Sequence, residues 1–255
     1  MEFPLLVAPL LPVPHGFTVR AGGVSEGPFA SLNLSVAVGD APEAVERNYA
    51  RLSRAVGVAP SAWRRVSQVH GDAVVRAPEW QGAEGLPPPC ATADGVWTDT
   101  PGLVVGVLTA DCVPVLLVDP DGRRVAAVHA GWKGTAARIA ARAVEALVAQ
   151  GARAERLLAA TGPCIQRCCY EVGAELGARF EAAFGPGVAE RTDPEHARLD
   201  LVEAVGRTLR EAGLQDAHVQ RLPHCTACDA SRFFSHRRDA GRTGRHLSFA
   251  RCDFA

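Results

Sequence analysis

Hydrophobic and polar positions are patterned most regularly between residues 103 and 150. Residues 103–109 are a continuous apolar, largely β-branched run, the pattern of a strand buried on both faces. Two further apolar runs, 113–118 and 124–129, flank Asp119-Pro120-Asp121-Gly122. Pro presets φ and Gly accepts a positive φ, so the stretch predicts a hairpin. With those four residues as the loop, Val118 pairs with Arg123 and, stepping outward, Cys112 stands opposite His129. Directly opposed residues have Cβ atoms about 4.5–5.5 Å apart, so a thiol and an imidazole would meet at the open end of a buried hairpin. A slip of one residue would send them to opposite faces. From 135 to 150 the period becomes helical. Ala136, Ile139, Ala140, Ala143, Leu147 and Val148 form one stripe, and Gly151 closes it.

The same reading predicts strands at 15–20, 31–35, 66–71, 93–98 and 157–162. It predicts helices at 42–56, 173–184 and 200–213, the first capped by Asp40 with Gly57 past its end. Residues 81–89 read as a Gly/Pro loop. The sum is one α+β domain over residues 1–255, with strands paired centrally and helices packed outside.

At 255 residues and 47% hydrophobic content the chain can bury a large core. A net charge of −1 and a pI near 6.7 give no basic field, which argues against a nucleic-acid partner. No apolar run approaches the roughly 20 residues that span a bilayer, which argues against a membrane protein. Residues 3–14 are apolar, but an acid precedes them and four prolines break them, so they do not read as a signal peptide. A cytoplasmic location is therefore expected, with the eight cysteines as reduced thiols or ligands.

Two chemistries suit Cys112 and His129. Thiolate and imidazole are preferred zinc donors, and three protein ligands with an open position make a catalytic site. Alternatively, a cysteine nucleophile is activated by a histidine base. His70 ends a predicted strand. Arg20 ends another before two glycines, where it could fork onto a carboxylate or phosphate. Cys225 and Cys228 form a C-x2-C pair. A structural zinc there would need two more donors, with Cys164, Cys168 and His224 the nearest in type. The pair reads as thiols without metal.

The segments HGFTVRAGGVS, SLNLSVAVGD, QVHGDAV, ADGVWTD, TADCVPVLLVD, AAVHAGWKGT, GPCIQRCCYEVG, CTACD and FFSHRRDAGRTGR run in order through nearly the whole chain. Together they closely resemble the bacterial family variously called multicopper polyphenol oxidase (laccase-like), purine nucleoside phosphorylase and peptidoglycan editing factor. The resemblance implies a single α/β/β/α layered domain and a metal held by His70, Cys112 and His129. It also implies phosphorolysis of adenosine, inosine and methylthioadenosine, with adenosine deamination and phenol oxidation beside it. Arg20 and Asn33 match substrate-side polar residues of the family. The chain departs from the family pattern at Tyr49, where Arg is frequent after Asn48, and at His236, where Tyr is usual.

Zinc held by two His and one Cys with an open position suits attack of water on C6 of adenine. Phosphorolysis needs an anion site, for which backbone N–H groups of residues 131–134, Gly131 among them, Lys133 and Arg20 are the candidates. The expected catalytic set is thus Cys112, His129, His70 and Arg20, and the expected substrate-binding set Arg20, Asn33, Lys133 and Gly131. Copper is the alternative ion. A multicopper cluster is disfavoured, because none of the eight histidines forms a His-x-His pair. A blue-copper site is disfavoured because Met1 is the sole methionine. The expected partners are purine nucleosides and phosphate, and the expected assembly is a monomer or homodimer. Two rival functions are a metal-free amide hydrolase or peptidoglycan-precursor editing enzyme using Cys112 and His129, and a non-catalytic nucleotide sensor.

Overall fold

The computed structural model describes residues 3–79, 82 and 85–254, so residues 81, 83 and 84 of the expected Gly/Pro loop lie outside the described residues. In chain order the first elements are β1 (Leu5–Leu6), β2 (His15–Thr18), α1 (Pro42–Ala55), β3 (Trp63–Arg65), β4 (Val74–Arg76), β5 (Gly95–Thr98) and β6 (Val104–Thr109). The central hairpin is β7 (Val113–Asp119) and β8 (Arg124–Ala130), followed by α2 (Trp132–Ala136), α3 (Ile139–Val148) and β9 (Leu158–Thr161). The last part holds β10 (Glu171–Gly173), α4 (Ala174–Phe184), β11 (Ala189–Arg191), β12 (His196–Leu199), α5 (Leu201–Glu211), β13 (Val219–Arg221) and β14 (His246–Arg251).

Two mixed sheets carry the core, one ordered β1-β2-β14-β6-β3 and the other β13-β9-β7-β8-β5-β4, with a small β10-β12-β11 sheet beside them. Strand alternation explains the layers. On β7, Val113, Val115 and Leu117 pack with Ile139, Ala143, Leu147, Val205 and Leu209 of the helices. Leu116 and Val118 point the other way, onto Phe17, Val105, Val107 and Ala250 of the facing sheet. The outer face of that second sheet, with Trp63, Val104, Leu247 and Phe249, is covered by Val45, Tyr49 and Leu52 of α1. The result is the α/β/β/α layering. The sheets close tightly at Gly162, where an added Cβ would lie 2.1 Å from a Phe17 ring carbon.

The hairpin differs from the expected register. Asp119 pairs with Arg124 and Pro114 with His129, so the loop is residues 120–123. Asp119 fixes this by accepting the Gly122 N–H at 3.0 Å and pairing with Arg124 at 2.7 Å, while Arg123 takes the left-handed φ of 54°. The shift is two residues, so face parity survives. Cys112, one residue before β7, and His129 still lie on the side that faces the second sheet.

Other boundaries moved for identifiable reasons. Residues 31–35 form no strand, because Ser31 and Leu32 both donate to the Arg20 carbonyl and Asn33 is occupied by side-chain bonds. Residues 66–71 follow β3 as a loop with one bridge at Ser67 instead of a strand. The helix expected at 135–150 starts at Trp132 and breaks at Arg138, which adopts φ 61°. There its guanidinium bonds Glu211 and the Ala183 carbonyl and stacks on Phe184. Ala136 and Val148 consequently lie outside the buried stripe. Ala41 occupies the cap of α1, because the Asp40 carboxylate bonds Ser25 and Asn33. Among the described residues no helix is long and apolar enough to cross a membrane.

Candidate metal centre

Three separate segments meet at one end of the sandwich. His70 lies on the loop between β3 and β4, Cys112 on the turn between β6 and β7, and His129 on β8. Their donor atoms all lie within 4.8 Å of one another. The two imidazole rings are 4.8 Å apart at 78°. His129 is buried and His70 exposed, so the cluster opens to solvent on one side.

One carboxylate organises two of these donors. Asp94, fully buried before β5, accepts a 2.7 Å bond from His129 Nδ1. It also accepts the consecutive backbone N–H groups of Val69, His70 and Gly71 at 3.1, 2.9 and 2.7 Å. That wrapping matches the left-handed φ of 62° at His70. The Asp94 bond uses Nδ1 of His129 and leaves Nε2 as its ligand atom, the usual arrangement behind a metal-binding histidine. Burial raises the Asp94 pKa, but His129 and the Gly71 and Val69 amides outweigh it and hold the carboxyl below its ordinary range.

The donors are electrostatically coupled. Burial pushes the Cys112 thiol up, yet His129 and His70 bring it down to about 6. Burial likewise depresses His129, and Cys112 and Asp94 together lift it to about 9. A thiolate beside protonated imidazole is an ion pair whose proton a cation can replace.

The residues fit zinc. One thiolate and two imidazoles are its ordinary donors, and three leave one position open. Gly131 supplies the room, since a Cβ there would lie 3.1 Å from both Cys112 Sγ and His70 Cδ2.

The remaining expected residues are placed differently. Arg20 donates to the carbonyls of Ala30 and Ala230 and stacks 4.9 Å from Phe234. Asn33 is buried, donating to Ser35 and Asp40 and accepting from Ser35 and Arg245. Lys133 lies over the Trp132 ring at 5.6 Å on a helix of five residues. Asn48 is buried among Val24, Ser25, Ser31 and Asn33, and Tyr49 is buried beneath Arg65. His236 is exposed.

Sequence reasoning passed over Asp94 and Arg245. Asp94 entered only as a residue of the strand expected at 93–98, although an acid among apolar strand residues was its available signal. Burial lowers the Arg245 pKa against the pull of Cys112 and Asp111. Arg20, Arg238 and Arg245 all lie close enough to His246 to depress it further.

The family described as multi-copper polyphenol oxidoreductase laccase matches residues 14–253. The chain belongs to that family. A Deinococcus radiodurans relative named purine nucleoside phosphorylase is 46% identical over 246 residues, 95% of this chain and 90% of its own. The Geobacillus stearothermophilus relative named purine nucleoside phosphorylase YlmD is 36% identical over 92% of this chain and 88% of its own. The crystal structure of YlmD from that organism aligns with a TM-score of 0.87 at 34% identity, covering 96% of this chain and 94% of that one. Bacillus licheniformis YfiH aligns with a TM-score of 0.88 at 34% identity, covering 93% and 91%. For this member of the laccase-like family the fold expected from the motifs is therefore the observed one.

Proposed function

We propose that the chain is a zinc-dependent purine nucleoside phosphorylase. It would cleave adenosine, inosine and methylthioadenosine to base and the sugar 1-phosphate, with adenosine deamination as a side activity and residues 1–255 acting as one domain. The observation that carries this reading is the His70–Cys112–His129 cluster, with Gly131 leaving room against Cys112 and His70. The names of the relatives supply the substrate class. Zinc bound there would supply a Lewis acid; copper in the same donors would account for the family's description.

The chain's own residues have separable tasks. Asp94 holds the His70 loop and the His129 tautomer. Phosphate needs cationic groups more than a helix end, because α2 has only five residues. The candidate cations are Arg20, Arg238 and Arg245, each close enough to His246 to depress it, and Lys133, two residues after Gly131 on α2. Asn33 accepts the Arg245 N–H at 2.9 Å and so positions that guanidinium's backbone.

The proposal predicts that inosine cleavage saturates with phosphate and yields ribose 1-phosphate. Arg20→Ala should raise the phosphate KM by about tenfold, corresponding to one lost charge-assisted contact, and leave the metal in place. Free ribose formed at the same rate without phosphate would make the chain a hydrolase. The low Cys112 pKa favours one second reading, a metal-free Cys112–His129 hydrolase. That enzyme would keep its activity in chelator.

A further inference from the structure

Cys168, Cys169, Cys225 and Cys228 bring their sulphurs together, each within 4.8 Å of the others. The pairs Cys168–Cys169, Cys168–Cys228 and Cys169–Cys228 are 3.8, 3.5 and 3.3 Å apart. Tetrahedral zinc with bonds of about 2.3 Å has ligand sulphurs about 3.8 Å apart, so these thiols already stand near the edges of such a tetrahedron. One disulfide would use two of them and leave the other two crowded, whereas one ion uses all four.

We propose that these four cysteines form a tetrathiolate structural zinc site, separate from the His70–Cys112–His129 centre. The donor chemistry distinguishes the two sites. Four protein sulphurs close the coordination sphere, as structural zinc sites do, while the first cluster has three donors. The local backbone favours a thiolate at Cys225. The Gln166 N–H points at Cys225 Sγ at 3.4 Å, and the N–H groups of Ala227 and Cys228 also reach that sulphur. Cys164 and His224 stay out of the cluster, although the bridge between Cys164 and Cys225 is what sets the two loops side by side.

The site also has a mechanical consequence. Its loops are those that hold Asp111, the neighbour of Cys112. Ile165 N–H donates to the Asp111 carbonyl at 2.9 Å, and Thr226 donates to its carboxylate at 2.6 Å. Asp111 sits at the left-handed φ of 89°, a conformation that needs such outside support in a non-glycine residue. A zinc joining residues 168–169 to 225–228 ties both clamps together.

Metal analysis of the full chain, purified reduced and equilibrated with zinc, should find two zinc per chain. Cys225→Ser/Cys228→Ser should hold one. His129→Ala should also hold one, and X-ray absorption of that variant should show four sulphurs at about 2.3 Å. The absorption measurement stands even if the double serine variant fails to fold. One zinc per chain in the wild type, a sphere containing nitrogen in His129→Ala, or iron bound in place of zinc would overturn the assignment.

Discussion

Asp94 does the most with the fewest atoms. Its four side-chain hydrogen bonds fix the loop of His70 and the tautomer of His129, so two of the three candidate donors depend on a residue outside the donor set. Asp94→Asn keeps the shape but removes the charge, and its amide can no longer accept every bond on both atoms. Outer-sphere partners of this kind typically contribute about 10–100-fold to metal affinity. Competition with a chelating dye should therefore show zinc affinity at the first site falling by about that factor. An unchanged affinity would mean that packing alone orients the two histidines.

At the scale of elements, β14 shows how a buried neutral side chain locks a loop to a sheet. His246 Nε2 accepts the Phe234 N–H at 3.0 Å, which requires an unprotonated nitrogen. Burial, together with the nearby arginines, lowers His246 from 6.5 to about 3. Since the folded pKa is depressed, the unfolded chain binds the extra proton. This stabilisation is whole above pH 6.5 and fades as pH falls toward about 3. The slope attributable to one proton is at most about 1.4 kcal/mol per pH unit. Stability measured by denaturant between pH 6.5 and 4 should fall less steeply in His246→Gln than in the wild type; parallel slopes would show that His246 does not control it.

The hairpin illustrates what periodicity can and cannot show at this scale. Alternation put Cys112 and His129 on one face, and a two-residue shift left that unchanged. The shift itself came from Asp119 side-chain bonds that no hydrophobic pattern encodes. The break of the long helix at Arg138 depends on Glu211, far away in sequence, and was illegible for the same reason.

Across the whole molecule, the two sheets give the site its rigidity and the loops beyond their edges give it its chemistry. His70 joined Cys112 through family resemblance, because no local pattern links a loop after β3 to a turn before β7. The four-cysteine cluster was half legible as C-x2-C. Of the further donors considered for that pair, Cys168 is in the cluster while Cys164 and His224 are not, and Cys169 had no sequence signal; the parallel pairing of β13 with β9 is what brings the loops together. The nucleoside chemistry proposed for the chain rests on the His70–Cys112–His129 centre. Its most direct test is ribose 1-phosphate formation from inosine and phosphate by the chain stripped with chelator, followed as zinc is added back. The stripped chain should show no turnover, zinc should restore it, and His129→Ala should not recover. Full turnover by the stripped chain would contradict that assignment.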